Sequence, residues 1–400
     1  MITSTIINTD KKAAAVKILA AAAFLLTFQG YMVAPLLDDL TGELQSNRFL
    51  VGFAIPAFAI PYGLSSFFYS LLIRRYGRRN LILSLIMLMA FGIFLTTFCE
   101  SAGTFLIMRI LLGLVSGGII PVAISMTGDL YTLGKRDQPF SWLFLGMAGG
   151  MTFGPTFGGY LYPLIGWRWE FVIVGITCAL LSYYAVMHRR LFPDEHIYSK
   201  IDLKTTLIKL RHLLDKEGSR KIYGFIFLNG VFHSGLFVWI SFYFSERYHF
   251  GDQAAGIGLL LFGLPGLLMA VSIGAGTQKY GHKKMVILGL LVIALTIALL
   301  VVHASIWVAV LAVTFLSVGY VMTQPLFTGI INNLRNGSVR GCALGFGTCL
   351  LFLGYGVGPI IFQYLLGLGI TQALVMLTIL GISLAFLSIG KTNSAAGLVH

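Results

Sequence analysis

Residues 70–79 read SLLIRRYGRR and residues 274–283 read GAGTQKYGHK, so that Gly77 in the first stretch corresponds to Gly281 in the second. These two glycines are 204 positions apart, and further landmarks repeat at the same offset. They are Pro61 with Pro265, Pro121 with Pro325, and the Gly-Pro pair 154–155 with the pair 358–359. A constant offset of about half the 400 residues indicates that one block was duplicated and then diverged.

The composition is that of a membrane protein. Of the 400 residues, 57% are hydrophobic and 11% are charged, whereas soluble domains carry about a quarter charged residues. Twelve apolar runs, six in each half, have about the length that a helix needs to cross a bilayer. We therefore predict an all-α integral membrane protein with twelve transmembrane helices in two six-helix bundles. The N-terminal bundle is expected at 1–187, a cytoplasmic linker at 188–221 and the C-terminal bundle at 222–400.

The net charge of +13 suits either nucleic-acid binding or a membrane topology signal, and the positions of the charges favour the second. Most of the lysines and arginines lie in segments between spans that share one side with the N-terminus. Such an excess marks the cytoplasmic side of a membrane protein. We therefore expect a multi-pass protein of the cell (inner) membrane with both termini in the cytoplasm and no nucleic-acid partner.

The linker contains one helical pattern. Leu203, Leu207, Leu210 and Leu214 are spaced as on one face of a helix, with basic residues on the other faces. An amphipathic basic helix of this kind lies along the inner leaflet of the membrane. A solvated linker with one or two helical turns is the alternative.

The repeated loop and one glycine-rich helix resemble those of a known family. The loop is similar to the G-x-L-x-D-R-x-G-R-R signature of the major facilitator superfamily. Residues 150–159, GMTFGPTFGG, lie in the predicted fifth span and are similar to the G-x-x-x-G-P-x-x-G-G motif of that family's drug:proton antiporters. The resemblance covers the whole chain. It implies a transporter of two bundles that exchanges its substrate for protons.

The resemblance also implies which residues control the conformational change. In the family an acidic loop residue pairs with basic groups and locks the cytoplasmic side. Arg74 and Gln278 stand at the acidic positions here, and Asp129 is the substitute partner that we expect. Glycines at every fourth position and a proline suit a helix that rocks against another across the two halves. The expected gating residues are Arg75, Gly77, Arg78, Arg79, Asp129, Gly150, Gly154, Pro155, Gly158, Gly159, Lys279, Gly281, Gly358 and Pro359.

Candidate proton-coupling residues are few, because no carboxylate lies in the middle of a predicted span. Arg109 lies within the fourth span, where an ionisable residue is costly and points to function, and the resemblance associates it with proton transfer. The alternatives are that Arg109 caps carbonyls of a neighbouring helix or extends to the outer surface. His233 in the seventh span titrates near neutrality, and Asp38 or Asp39 at the outer end of the first span is a second choice. A hydrogen-bonded cavity histidine and two ordinary helix-end acids are the alternatives for these three residues.

The resemblance implies that the first and fourth spans of each half line a central cavity. Polar residues in those spans are few and are interleaved with aromatic and methionine side chains. This makeup favours amphipathic or aromatic molecules over sugars, which need many directed hydrogen bonds. The predicted cavity residues are Gln29, Tyr31, Asn229, Trp239, Tyr320 and Gln324.

Together these features predict a secondary active transporter that exports amphipathic small molecules or drugs by alternating access, coupled to protons. Uptake or uniport of a small metabolite on the same fold is one alternative, and a sensor that transports nothing is another. An enzyme is disfavoured, because the sequence has no metal-ligand spacing and no phosphate-binding loop of the G-x-x-x-x-G-K-[ST] type. We expect no metal and no cofactor. The expected partners are a small-molecule substrate, protons and the lipid bilayer, with the protein acting as a monomer.

Overall fold

The structure is a computed structural model. It describes residues 9–131, 137–193, 208, 211, 214–215, 219–248, 252–301, 305–323, 337–367, 369, 372–376 and 378–379. Most of the predicted linker helix lies outside these residues, as does Gln324. The regular secondary structure of the described residues is helical.

The described helices are divided between the two halves of the chain. In the N-terminal half they are α1 (Thr9–Tyr31), α2 (Leu37–Glu43), α3 (Arg48–Val51), α4 (Pro56–Tyr76), α5 (Arg78–Thr96), α6 (Ala102–Ser116), α7 (Ile119–Leu130) and α8 (Asp137–Met187). In the C-terminal half they are α9 (Ser219–Tyr248), α10 (Asp252–Tyr280), α11 (His282–Val301), α12 (Ile306–Thr323) and α13 (Gly337–Leu366). Gly166, at φ 75°, divides α8 into two helices at 137–165 and 167–187. By length and composition, eight helices of the described residues are able to cross a membrane.

Glycines form the turns of the two repeated loops. Gly77 separates α4 from α5 at φ 76° and ψ 146°, and Gly281 separates α10 from α11 at φ 85°. Residues with a side chain rarely adopt such angles, so both turns have the glycine-dependent geometry that the sequence predicted. We call the end of the molecule with these two turns the basic end. The opposite end, with residues 31–48 and the end of α9 at Tyr248, is called the distal end.

The helices are apolar on the outside as well as the inside. Buried apolar side chains from both halves form one continuous core. Large apolar side chains nevertheless remain exposed along the outer helices, among them Phe91, Leu295 and Phe315. A soluble protein rarely exposes so much contiguous apolar surface, and contact with lipid accounts for it.

Glycines bring helices of the same half into close contact. A Cβ atom on any one of four glycines of α8 would overlap the carbonyl oxygen of residue 20, 24, 28 or 32; these are Gly146, Gly150, Gly154 and Gly158. In the C-terminal half, Gly354 and Gly358 of α13 approach the carbonyl oxygens of residues 227 and 231 in α9 in the same way. The expectation that this glycine face rocks across the two halves is therefore wrong. The face packs against the neighbouring helix of its own half, because only a bare glycine backbone allows so close an approach.

The two halves meet where α4 packs on α13 and where α8 packs on α10. Gly63 brings α4 against the backbone of α13, since a Cβ atom there would lie 2.8 Å from the carbonyl oxygen of Cys349. On the other side of the molecule, Gly263 of α10 lies against Thr152 of α8. The glycines that allow the halves to approach each other are thus different from those of the sequence motif.

We expect Gly154→Ala to destabilise the protein by about 1–3 kcal/mol, the usual cost of overpacking. The added Cβ atom would lie 2.5 Å from the carbonyl oxygen of Phe28, and neither backbone can yield easily. Gly224→Ala in α9 is the matched control, because nothing lies within 4 Å of its added Cβ atom, and its effect should stay within about 0.5 kcal/mol. Thermal unfolding in detergent measures both variants. Equal unfolding midpoints would show that the glycine contact is not tight.

Candidate substrate site

A group of aromatic rings lies where the two halves meet. We call it the central cluster; its members are Tyr31, Tyr62, His233, Phe237, Phe262, Tyr320, Phe352 and Tyr355. Across the halves, the ring centroids of Tyr62 and Phe352 are 3.9 Å apart, and those of Tyr31 and Phe237 are 5.3 Å apart. All members except Tyr320 are buried. Six helices, α1, α4, α9, α10, α12 and α13, therefore converge at one place.

The C-terminal part of the cluster is ordered by stacking and hydrogen bonds. The ring of His233 stacks on Tyr320 at 3.8 Å, and the hydroxyl groups of Tyr320 and Tyr355 are 3.0 Å apart. One helical turn towards the basic end, the hydroxyl of Thr323 donates to Oδ1 of Asn229 at 3.2 Å. The structure thus brings together three of the residues predicted from the sequence, Asn229, His233 and Tyr320.

Three polar atoms of the cluster have no hydrogen-bond partner among the described residues. They are Oη of Tyr31, Oη of Tyr62 and Nδ1 of His233, in residues that are 2%, 0% and 6% exposed. Buried polar groups are nearly always paired, so an unpaired group needs an explanation. Apolar rings with a few convergent polar atoms are the usual lining of a small-molecule site.

Two of the predicted cavity residues, Gln29 and Trp239, do not belong to the central cluster. Gln29 is fully buried, and its Oε1 accepts a hydrogen bond from Arg109 at 3.1 Å. Trp239 is fully buried and packs on Tyr243 with centroids 4.8 Å apart. It lies six residues after His233, and at 3.6 residues per turn this places it on a different face of α9.

The sequence prediction missed the cluster residues on α4 and α13. Tyr62, Phe352 and Tyr355 were not considered, because only the first and fourth spans of each half were expected to line the cavity. A usable signal was present: Tyr62 directly follows the repeated Pro61, and Tyr355 lies within the repeated Gly-Pro stretch.

Arg109 is fully buried and binds backbone carbonyls. Its guanidinium donates to the carbonyl oxygens of Ala54 and Gln29, both at 3.1 Å, and of Gly30 at 2.6 Å. Because α1 ends at Tyr31, carbonyls of its last turn need donors from outside the helix. The position of this arginine therefore matches the capping alternative raised by its sequence context.

The acidic candidates lie apart from the central cluster. Asp38 and Asp39 are in the first turn of α2 at the distal end, and Asp38 forms an exposed ion pair with Arg48 at 2.9 Å. A different carboxyl, Glu170 of α8, is fully buried, and neither oxygen has a hydrogen-bond partner among the described residues. An ionisable group inside a span points to function. Sequence reasoning passed over Glu170 because it stands at the beginning of the sixth span.

At the basic end, side chains of the first repeated loop make specific contacts. Arg78 forms an ion pair with Asp129 of α7, the partner that the sequence suggested. Arg79 donates from Nη2 to the carbonyl oxygen of Phe192 at 2.7 Å. Since Phe192 belongs to the beginning of the predicted linker, this bond attaches the linker to the N-terminal half.

For the other predicted gating residues, the structure shows mainly a position in a helix or an exposure. Pro155 and Pro359 lie inside α8 and α13, and Gly159 is buried. Lys279 is exposed, and the side chain of Arg75 is not among those that the structure describes.

Membrane-crossing helices in two halves, with a buried and largely apolar site at their contact, define a multi-pass membrane transporter of small molecules. The chain belongs to the Major Facilitator Superfamily, whose sequence pattern matches residues 19–359. This membership confirms the predicted fold of twelve helices in two bundles.

Two similar proteins of Bacillus subtilis match this chain over most of their length. The chain is 25% identical over 356 residues to the uncharacterized MFS-type transporter YuxJ of Bacillus subtilis (strain 168), which covers 85% of this chain and 88% of that protein. It is 21% identical over 378 residues to multidrug resistance protein 2 of the same organism, covering 92% and 93%. The fold is similar to that of a D-xylose-proton symporter, with a TM-score of 0.76 at 15% identity, covering 94% and 97%.

Arg109→Ala should lower stability strongly, because three buried carbonyl oxygens lose their donor at a cost of about 1–3 kcal/mol each. Arg48→Ala is the control, since it breaks only an exposed ion pair worth at most about 1 kcal/mol. Thermal unfolding of both variants in the same detergent measures the difference. The capping role would be contradicted if Arg109→Ala unfolded at the same midpoint as Arg48→Ala.

Asp129→Arg should slow transport, because it places a like charge beside Arg78 at the junction of α5 and α7. The double variant with Arg78→Asp and Asp129→Arg restores an ion pair with reversed polarity and should recover part of the rate. Transport into proteoliposomes, normalised to the amount of inserted protein, is the measurement. No recovery in the double variant would mean that the pair does not act as a unit.

Proposed function

We propose that the protein exports amphipathic aromatic small molecules across the cell membrane by alternating access, in exchange for protons. The central cluster carries this proposal, because it combines aromatic rings with a few unpaired polar atoms at the contact between the halves. That contact must open and close when the halves rock. A sugar needs more directed hydrogen bonds than this lining offers.

The proposed orientation in the membrane rests on the charges, and the proposed direction of transport rests on a relative. The basic end faces the cytoplasm in this proposal, because lysines and arginines concentrate on the cytoplasmic side of membrane proteins. Both chain termini then lie in the cytoplasm, and the protein acts as a monomer. The name of the multidrug resistance relative supports export, although a similar fold also serves a D-xylose-proton symporter.

The packing suggests how the movement of the halves reaches the site. In the N-terminal half, α8 contacts the opposite half and is packed by glycines on α1, which carries Tyr31. In the C-terminal half, α13 contacts α4 and is packed by glycines on α9, which carries His233. Each glycine-packed pair therefore moves as one unit, so that a change at the contact between the halves moves cluster residues directly.

His233 is the coupling residue in this proposal. It lies within the central cluster, its Nδ1 is unpaired among the described residues, and an imidazole nitrogen is able to take up and release a proton. A charged imidazole among apolar rings is costly unless a partner compensates it. Protonation of His233 and packing of a substrate ring against it therefore oppose each other, which is the requirement for exchange.

Uptake or uniport of a small metabolite is the second candidate function. It is favoured by one observation, that the central cluster contains no carboxylate among its described members. Glu170, the buried acid of the described residues, belongs to the 167–187 part of α8, which contributes nothing to the cluster.

The test uses inverted membrane vesicles with an imposed proton gradient and a fluorescent aromatic substrate. We expect gradient-driven transport by the wild type, and a reduction of at least about tenfold in His233→Asn. Counterflow without a gradient should fall much less in this variant, because the other seven aromatic side chains of the central cluster are unchanged. Glu170→Gln is the matched control and should remain gradient-driven. Wild-type transport that ignores the gradient would exclude proton coupling, and a selective loss in Glu170→Gln would move the coupling to that residue.

A further inference from the structure

We infer that the central cluster selects aromatic molecules that present an uncharged or anionic hydrogen-bond acceptor, and that it binds aromatic cations more weakly. This inference rests on the proposed function, because it treats the central cluster as the substrate site. Three observations carry it: an uncompensated buried charge, two unpaired phenol hydroxyls, and ring faces that are already covered.

The charge belongs to Arg109. The guanidinium is fully buried, and its hydrogen bonds go to three backbone carbonyls and to the side-chain amide oxygen of Gln29, all of which are neutral. One of these carbonyls, that of Gly30, directly precedes Tyr31 of the cluster. A full positive charge therefore lies next to the site.

No acidic side chain of the described residues forms an ion pair with Arg109. Glu170 is the buried acid among them, and neither of its oxygens has a hydrogen-bond partner there. The other acidic side chains that the structure describes are at least partly exposed to the surroundings. In a poorly screened interior, an isolated charge acts over distances of about 10 Å, so that it attracts an anionic substrate and repels a cationic one.

The unpaired hydroxyls are placed to act with this charge. Tyr31 and Tyr62 are on α1 and α4, and the carbonyls that Arg109 binds belong to the end of α1 and to Ala54, just before α4. The guanidinium is therefore bound by the end of α1 and by the segment that leads into α4, and these two helices carry the hydroxyls. A phenol hydroxyl donates one hydrogen bond, so the pair is suited to a carbonyl, carboxylate or phenolate oxygen of the ligand.

An aromatic cage would ordinarily attract cations through its ring faces. Here the faces are already in contact: Tyr62 lies 3.9 Å from Phe352, and His233 lies 3.8 Å from Tyr320. The ring of Phe58, which neighbours Tyr62, is covered by Arg109 itself at 4.8 Å. A flat ring that enters between the halves gains stacking whatever its charge. The charge of its substituent relative to Arg109 therefore decides between an anion and a cation.

Three probes of the same shape test the inference: 2-naphthoate, 2-naphthamide and 2-naphthyltrimethylammonium. Each is titrated into the purified full-length protein in nanodiscs by calorimetry, and each is tested as a competitor of counterflow in proteoliposomes. We expect the anion and the amide to bind at least about tenfold more tightly than the cation. Tyr62→Phe removes one donor and should weaken naphthoate and naphthamide about threefold to tenfold while leaving the cation unchanged. Tyr160→Phe, on the exposed surface of α8, is the control and should change none of the three affinities.

The outcomes separate this inference from the proposed function. If the cation binds as tightly as naphthoate and an imposed proton gradient drives its export, the inferred substrate class is wrong and the export function stands. If Tyr62→Phe weakens all three probes equally, the hydroxyl is not a selective donor and the inference fails. If neither binding nor counterflow is found for any probe, while the wild type exports a compound identified in whole cells, the inference also fails. Absence of transport of any compound would remove both.

Discussion

The cap that Arg109 places on the end of α1 determines the geometry of the site. Backbone carbonyls inside a membrane must be satisfied within the protein, because lipid offers no donors. At the end of α1, the carbonyls of residues 28 and 31 are paired with backbone amides, whereas those of Gln29 and Gly30 are paired with Arg109. The helix is thereby able to end inside the protein and to present Tyr31 to the opposite half. The charged side chain of Arg109 therefore serves in this structure as a donor to the backbone.

The duplication accounts for the helices and turns that the two halves share. The side chains of the candidate site differ between the two copies. Both halves have a glycine-dependent turn at the basic end and a Gly-Pro helix packed on the first helix of its own half. At the position that corresponds to Arg109, the second half has Val313, which is buried. Gln29 and His233 also correspond, yet Gln29 supports the arginine and His233 stacks within the cluster. The site is therefore asymmetric although the frame around it is repeated.

Sequence reasoning predicted the fold well and the site in part, for physical reasons. Long apolar runs, the repeat and the turn glycines depend on local composition, which a sequence displays directly. Which face of a helix meets which neighbour depends on packing that a single sequence does not display. For this reason the glycine motif was assigned to the wrong partner, and Trp239 was included among the cavity residues although it packs on Tyr243. Tyr62 and Phe352 were missed because their importance arises only when α4 and α13 meet.

The location of the cluster has a consequence for how binding and movement are linked. The rings of Tyr62 and Phe352 close the contact between the halves and, in the proposed function, also bind the substrate. A flat substrate that stacks between them replaces a contact between the halves with two contacts to itself. Its binding free energy then depends on how far the halves are apart, and a ligand shifts a conformational equilibrium only through such a difference. With aromatic rings shared by both halves, substrate binding and opening become the same physical event, and no separate signal between a site and a gate is needed.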